Sequence, residues 1–475
     1  MARVTAVIDI GSNSVRMAVF ERTSRFGFHL LHEAKSRVRI SENAYKNGGV
    51  LQPAAMNRAV AALTDFVKIA HSCKARKILT VATSAVRDAP NRSEFVQMVR
   101  AATKLNIRVI DGKTEALLGG IAACNLLCIQ DGVTIDIGGG STEFALIRGG
   151  RIIDTVSFNL GTVRLKELFF DDKGDSSAAE RFVKESFKNL PKSFVSRQII
   201  GVGGTLRALS AVIMKQENCP FEALHGYRFD LAAQKKLLER IAAANDNELK
   251  LIGFKPERFD VIREGVMIFG LAAKAINAKE AITSGVGVRE GVFVRDLLRN
   301  CGERLPHNVQ PSLISLLDRF GGDGKRSSWT ARTANELFDL LAPLHRLDAS
   351  HKLPLITAAK LLGIGSCIDY YSSFEAGYRL ALSGLAYGYE HQERLLIASL
   401  ILSAQKKSLT LPMPQEQRFL AFILFVANAI NTAQECPAVT FALERGTLKI
   451  SGLGYLAHEV FARFKPPLDI RIEVE

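Results

Sequence analysis

Cysteine is scarce: seven residues in 475, an odd number without one CxxC pair, which excludes a disulfide framework or a paired-thiolate zinc site and fits a reducing compartment. Long apolar runs are missing too. The longest, near Leu395 to Leu402 and Phe419 to Ala427, fall well below the roughly 20 residues a spanning helix needs, so no membrane role is expected. Signal-peptide patterning is absent because Arg3 runs at once into a strand, and a cytoplasmic protein is expected. Acidic residues are in deficit, 48 against 62 Lys and Arg for a formal charge of +14. That balance fits a polyanionic partner (nucleic acid, acidic lipid or polyphosphate) or simply a basic proteome, and it constrains association, not fold. Nucleic acid is not the expected polyanion, since no RNP-like aromatic motif and no concentrated basic helix is present. No segment is of low complexity, and a hydrophobic content of 47% is ample for real cores in two to four domains.

What the chain does have is one motif twice: VIDIGSNS at residues 7 to 14 and TIDIGGGSTE at residues 134 to 143. Each is an apolar strand ending in an aspartate, Asp9 or Asp136, followed by a turn of small residues. Gly11, Gly138, Gly139 and Gly140 permit positive φ and let backbone N–H groups converge on an anion. Ser12, Asn13, Ser14, Ser141 and Thr142 add polar side chains, and the aspartates can hold a hydrated Mg²⁺. The two copies stand one α/β lobe apart, which predicts a duplicated lobe with a phosphate-binding cleft between the copies.

Between and beyond the copies, strand and helix patterns alternate. A hairpin strand VRMAVF follows the first motif, then a helix over Pro53 to His71, the strand KILTVATSA, a helix around Glu94 to Leu105 and the strand IRVID. After the helix Lys113 to Asn125 the plan restarts. It ends with the strand, glycine turn and helix QIIGVGGTLRALS at residues 198 to 210 and with AITSGVGVREGVFVRDLL at residues 281 to 298. From about residue 310 long amphipathic helices take over, and residues 438 to 475 read as a hairpin, a helix and a closing strand. The borders follow: 1–125 first lobe, 126–302 second lobe, 303–432 helical domain and 433–475 a small α+β domain. FGGDGKRSS, residues 320 to 328, is expected to be a mobile loop.

With TSAVRDAPN at residues 83 to 91, DGKTEA at 111 to 116, GVGGT and GVREG, the motif set resembles the exopolyphosphatase and guanosine pentaphosphate phosphohydrolase (Ppx/GppA) family. The resemblance implies an α/β fold of two actin, hexokinase and Hsp70-like lobes, followed by a helical HD-like domain. It puts Glu115 in the position of the family's catalytic glutamate, which orients or deprotonates the attacking water. Glu143 is the rival base. Asp136 and Glu143 match metal and phosphate-site carboxylates, with Asp9 as a further, water-mediated contact to Mg²⁺. Arg87 matches an arginine that grips phosphate oxygens, and Gly203, Gly204 and Thr205, followed by Arg207, resemble a third phosphate loop. Arg289 and Glu290 fit a structural ion pair as well as a ligand contact. Arg16, Lys35, Arg37 and Arg39 read as solvated surface charges.

In the helical region the resemblance breaks where HD phosphohydrolases read LLHDIG: here KLLGIG occupies residues 360 to 365, so Leu362 and Gly363 replace the metal pair. His345, His351 and His391 are isolated, and the region reads as scaffold, dimer surface and part of a basic channel. The implied activity is Mg²⁺-dependent removal of terminal orthophosphate from inorganic polyphosphate by a homodimer. Two alternatives stand beside it: hydrolysis of pppGpp to ppGpp, and a non-catalytic sensor of polyphosphate or alarmone.

Overall fold

In a computed structural model, residues 3–171, 175–321, 324–405, 414–466 and 470–474 are described, and the chain divides into two compact units at Val309/Gln310. Unit one is built on the two motif strands. β1 (Val4–Ile10) and β6 (Gly132–Ile137) are buried along nearly their whole length, as apolar runs at the centre of covered sheets must be.

On one side of β1 lie β2 (Val15–Arg22) and β3 (Phe28–Ser36) as an antiparallel meander; on the other lie β4 (Lys77–Ala82) and β5 (Ile107–Val109), parallel to it, giving the order β3-β2-β1-β4-β5. The second sheet repeats the plan. β7 (Thr142–Arg148) and β8 (Arg151–Phe158) form the meander beside β6, and β9 (Gln198–Val202) and β11 (Glu280–Thr283) run parallel on its other side, with β10 (Arg228–Asp230) added at the edge. The duplicated lobe expected from the motif spacing is therefore present strand for strand.

Register fixes the site. In the first sheet Asp9, Arg16 and Lys35 stand directly opposite one another across β1, β2 and β3; in the second the row is Asp136, Glu143 and Ser157 across β6, β7 and β8. Opposed residues on adjacent strands share a face, so each row presents its polar groups together.

The expected border near residue 126 does not separate two self-contained lobes, because the lobes exchange helices. The helix Gly112–Leu126 packs on β7 and β8 of the second sheet, with Gly120 under Ile152 and Ala145. The helix Val288–Leu297 returns to the first sheet, where Phe293 stacks on Phe20 at 4.3 Å between centroids and meets Phe28 at 4.9 Å. Burying each ring contributes about 2 kcal/mol. The two helices cross at Gly291, whose Cα lies against the Leu118 backbone with no room for a Cβ. The connector also stays with unit one past the expected 302/303 border: Asn125 donates from Nδ2 to the Glu303 carbonyl at 3.1 Å and accepts the Leu305 N–H at 2.7 Å.

Unit two, Gln310–Glu475, joins long helices to a sheet of β12 (Thr440–Glu444), β13 (Thr447–Ser451) and β14 (Arg471–Val474) in the order β12-β13-β14. Leu448, Ile450, Phe461 and Phe464 share one core with Leu337, Leu355, Ile401 and Phe422, so the expected border at 432/433 falls inside a continuous core. Residues 324 to 328 start the helix Gly324–Leu340, a correction to the loop expected there: Trp329, Ala331 and Ala334 are buried and carry the helical stripe back through the polar residues. Residues 322 and 323 lie outside the described residues, as do 467–469 and 475 in the C-terminal segment read as a closing strand. His345 is a satisfied core residue, its Nε2 at 2.8 Å from the Phe338 carbonyl and its Nδ1 accepting the Leu347 N–H at 2.9 Å. Among the described residues no helix is long and apolar enough to cross a membrane.

Candidate active site

Each motif strand ends in the same tight turn. The Gly11 N–H donates to the Ser14 carbonyl at 3.2 Å, and the Gly138 N–H donates to the Ser141 carbonyl at 3.0 Å. Carbonyl oxygens of the first turn, which would repel phosphate, are tied off: that of Asn13 accepts the Arg39 N–H, and that of Ser12 accepts both the N–H and the hydroxyl of Ser41. None of Gly11, Gly138, Gly139 and Gly140 has positive φ; Gly203 does, at 91°. Small size, not handedness, is what the second turn requires. A Cβ on Gly139 would lie 2.9 Å from Ser12 Cβ, and one on Gly140 would overlap the Tyr45 hydroxyl and crowd Ser84 and Ser12.

The turns close one end of a cavity of about 150 Å³ lined by Asp9, the Gly11 to Ser14 turn, Asp136, Gly138, Gly139 and the third loop, Gly203 to Thr205. Four arginines complete it: Arg16, Arg207, Arg258 and Arg289. Arg258 rests its guanidinium on Gly204, where a Cβ would come within 2.5 Å of Nη1, at the N-terminus of the helix Gly203–Gln216. Positive charge over a helix N-terminus is unfavourable by itself. Burial and the neighbouring Arg16 and Arg289 push the Arg207 guanidinium down to about 10. Arg289 donates from Nη1 to Glu33 at 2.7 Å and lies 3.7 Å from Glu290, while Glu290 caps its own helix by accepting the Gly287 N–H at 2.8 Å.

Asp9 and Asp136 face this cavity from the two sheets. Burial raises the Asp9 carboxyl to about 6, with Arg289 and Arg16 opposing it, and burial likewise raises Asp136 against Arg207 and Arg16. Glu143, Glu115 and Arg87 do not line the cavity. They form a largely buried group of their own. Ser157 donates to Glu143 at 2.8 Å, and Gly112 presses on Ser157, which brings the first turn of the Gly112–Leu126 helix, with Glu115, to the acidic row. Burial raises Glu143 to about 8. Burial first and then the charge of Glu143 raise Glu115, opposed by Arg87, whose Nη1 donates to Glu115 Oε2 at 3.0 Å. Arg87 also donates to Asp88 and the Ile110 carbonyl, so its guanidinium serves the carboxylates and not the cavity. Thr142 is fully buried and donates inward to the Leu160 carbonyl at 2.6 Å, and Ser141 is buried beside it.

Among the described residues no group of three His, Cys, Asp or Glu is placed to hold a metal, so Glu143 does not join Asp9 and Asp136 as a direct ligand set; its Oε1 is taken by Ser157. Asp9 Oδ1, however, is buried without a hydrogen-bond partner. Two carboxylates plus retained waters is the arrangement Mg²⁺ accepts, and these residues fit it.

Sequence reasoning missed the arginine wall. Arg16 is no solvated charge, Arg207 was visible only as a follower of the third loop, and Arg258 carried no signal at all, since its loop becomes part of the cavity only through folding. Arg37 and Arg39 are engaged as well, reaching Asp260 at 3.3 Å and 3.1 Å across the cleft. Beside Gly140, Arg164 donates to its carbonyl at 2.8 Å and to Asp88 at 2.9 Å, and stacks on the Tyr45 ring, latching one lobe to the other.

The model of the Ppx/GppA phosphatase family matches residues 18–300. A bifunctional 3-dehydroquinate synthase/phosphatase of Fusobacterium nucleatum is 30% identical over 282 residues, covering 55% of this chain and 42% of that protein; the chain thus spans about two fifths of this curated relative's length. The crystal structure of the Aquifex aeolicus member of the Ppx/GppA family superposes with a TM-score of 0.54 at 25% identity, over 63% of this chain and 99% of that one. An exopolyphosphatase from Cytophaga hutchinsonii superposes with a TM-score of 0.58 over 64% of this chain and 100% of its own, and at 23% identity the likeness speaks for the fold alone.

Proposed function

The chain belongs to the Ppx/GppA phosphatase family, and from that premise we propose that it hydrolyses the terminal phosphate of inorganic polyphosphate, releasing orthophosphate, with Mg²⁺. The observation that carries the reading is the convergence of four arginines, two glycine turns and two half-buried aspartates on one cavity. Four guanidiniums are more cationic charge than one terminal phosphate needs, and a chain of phosphates supplies an anion for each.

The terminal phosphoryl group is taken in the cavity, against the two turns that line it. Glu115 is the base: it takes a proton from water as the water oxygen bonds to phosphorus and the anhydride bond breaks, and the Arg87 guanidinium bonded to its carboxylate favours the ionised form against burial and Glu143. Glu143 is the alternative base, and the Ser157 hydroxyl donated to its Oε1 makes it the weaker choice. Mg²⁺ held by Asp9 and Asp136 through its waters would neutralise the phosphoryl oxygens.

The test is phosphate release with Mg²⁺ from long-chain polyphosphate and from pppGpp, side by side, with Glu115→Gln as the control. Turnover mainly of polyphosphate, lowered about 10²- to 10⁴-fold in the variant, is the expected result. Preference for pppGpp moves the protein to the alarmone branch, tight binding without turnover makes it a sensor, and undiminished turnover by the variant removes Glu115 as base.

A further inference from the structure

Arg164 has no part in that chemistry and does not line the cavity, yet it is mounted on the second glycine turn itself. It belongs to the short helix Thr162–Leu165, whose first N–H groups are spent on that turn. Thr162 donates to the Gly138 carbonyl at 3.0 Å, and Val163 and Arg164 donate to the Gly139 carbonyl at 2.9 Å and 3.0 Å. Gly161, just before the helix, lies so close that a Cβ there would come within 2.4 Å of the Gly139 backbone. The Arg164 side chain adds a bond from Nε to the Gly140 carbonyl at 2.8 Å, so its guanidinium moves with the turn.

From this mount Arg164 reaches into the other lobe and starts a chain of charges that ends at Glu115. Its Nη2 donates to Asp88 Oδ2 at 2.9 Å, while Asp88 Oδ1 accepts from Arg87 Nε at 3.2 Å. Arg87 Nη1 donates in turn to Glu115 Oε2 at 3.0 Å and to the Ile110 carbonyl at 3.3 Å. With Nη1 so shared, the Nε bond to Asp88 is what fixes the plane of the Arg87 fork. Residues adjacent on a helix do not face one another, and Asp88 directly follows the helix Ser84–Arg87, so its carboxylate has to be held from outside; Arg164 holds it. The side chains of Arg164, Arg87 and Glu115 are 17%, 16% and 10% exposed, which sets this chain apart from solvated surface pairs of little worth. The Tyr45 ring covers the Arg164 guanidinium at 4.4 Å.

We propose that Arg164 is a positioning residue for the base: through Asp88 it sets the Arg87 fork that holds Glu115, so the base is in place only while the second turn is packed against the first lobe. The inference rests on the phosphohydrolase reading above and deepens it. Arg87 and Asp88 follow β4 of the first sheet, whereas Arg164 rides on the second turn and Glu115 on the helix that packs against the second sheet. The Arg87–Asp88 pair is therefore held from the second lobe at both ends. A shift of the turn draws Arg164 away from Asp88, and the fork that Asp88 then releases can rotate off Glu115. A second tie between the lobes lies one helical turn on, where the Glu167 carboxylate accepts the N–H groups of Asn43 and Tyr45 at 3.0 Å and 3.1 Å. It joins the lobes without touching Asp88, which separates the route through Asp88 from lobe contact in general.

The experiment measures kcat, KM and Tm for the full chain with Mg²⁺ and long-chain polyphosphate. Arg164→Met and Asp88→Asn are each expected to lower kcat about 10- to 100-fold, as a small misplacement of a reacting group does, with KM nearly unchanged. The double variant should lose no more kcat than either single one, because both break the same chain. On the Glu115→Gln background neither should lower kcat further, while the fall in Tm that each causes should persist there; a merely structural role would lower both. Arg164→Lys, which keeps a cation for Asp88, should recover part of kcat. Glu167→Gln should lower Tm and leave kcat as it is. A folded Arg164→Met protein with unaltered kcat, or a loss that adds in full to Glu115→Gln, overturns the proposal. So does an equal loss of kcat in Glu167→Gln, which would make lobe contact in general the cause. Should the wild type release no phosphate, or Glu115→Gln turn over undiminished, the reading above falls and takes this one with it, whereas an active, Glu115-dependent wild type beside an unaffected Arg164→Met sinks this one alone.

Discussion

Replacing Arg87 by Met leaves the aliphatic volume and deletes the cation beside Glu115. The two side chains are 16% and 10% exposed and their charges 3.0 Å apart, a geometry worth about 5 kcal/mol of attraction at an effective dielectric of 20, much of it offset by desolvation. Breaking such a pair by removing one partner costs about 3–5 kcal/mol. The sign for activity follows from which state Arg87 favours. Burial and Glu143 already push the Glu115 carboxyl up, with Arg87 the opposing influence, so the variant holds its proton to higher pH and the acid limb of the kcat profile moves upward. At about 1.4 kcal/mol per tenfold in the ionised fraction, a loss of about 3 kcal/mol leaves kcat at neutral pH about 100-fold down and recoverable in alkali. The measurement is kcat from about pH 6 to about pH 10 for Arg87→Met, repeated on the Glu115→Gln background, where the second change should cost nothing further. If Arg87→Met instead raises KM, leaves the acid limb in place and adds in full to Glu115→Gln, Arg87 grips phosphate and its pairing with Glu115 is incidental.

Two further outcomes are expected. Glu143 and Asp9 are carboxyls raised by burial to about 8 and about 6, so between their unfolded values and these the folded state binds more protons than the unfolded one, and the metal-free protein loses stability as pH rises through that window. Mg²⁺ should therefore raise Tm more near pH 8 than near pH 5, and Asp9→Asn should shrink the difference; equal shifts in scanning fluorimetry at both values would refute the linkage. Gly140→Ala forces a methyl into the Tyr45 hydroxyl, with Ser84 Oγ at 2.7 Å and Ser12 Oγ at 3.1 Å, and should destabilise by about 1–3 kcal/mol in urea unfolding. Tyr45→Phe on that background should recover part of the loss, and an unchanged midpoint for the single variant would show that the turn has slack.

The duplicated lobe was legible before folding because a strand that ends in Asp and a small-residue turn writes its geometry locally: apolar period, backbone reach and turn chemistry all lie within eight residues. Asp9, Ser12, Asp136, Gly138 and Gly203 reach one cavity for that reason. Glu115 was singled out only through resemblance, since a glutamate in the first turn of a helix is ordinary; it gains its acidic neighbour Glu143 only where the Gly112–Leu126 helix crosses to the other sheet. Arg87 was read as an arginine that grips phosphate oxygens; the structure pairs it with Glu115, a contact across 28 positions that is not written in spacing.

Sequence alone determined the two glycine turns, the sheets that carry them and the cationic balance, all of them properties of local pattern or of composition. Tertiary structure alone decided that Arg16, Arg207, Arg258 and Arg289 converge on one cavity with Asp9 and Asp136, and that the lobes exchange helices at Gly291. Those facts depend on register and on contacts between segments hundreds of residues apart, and charges that are solvated when read one by one acquire their meaning only when burial sets them against each other.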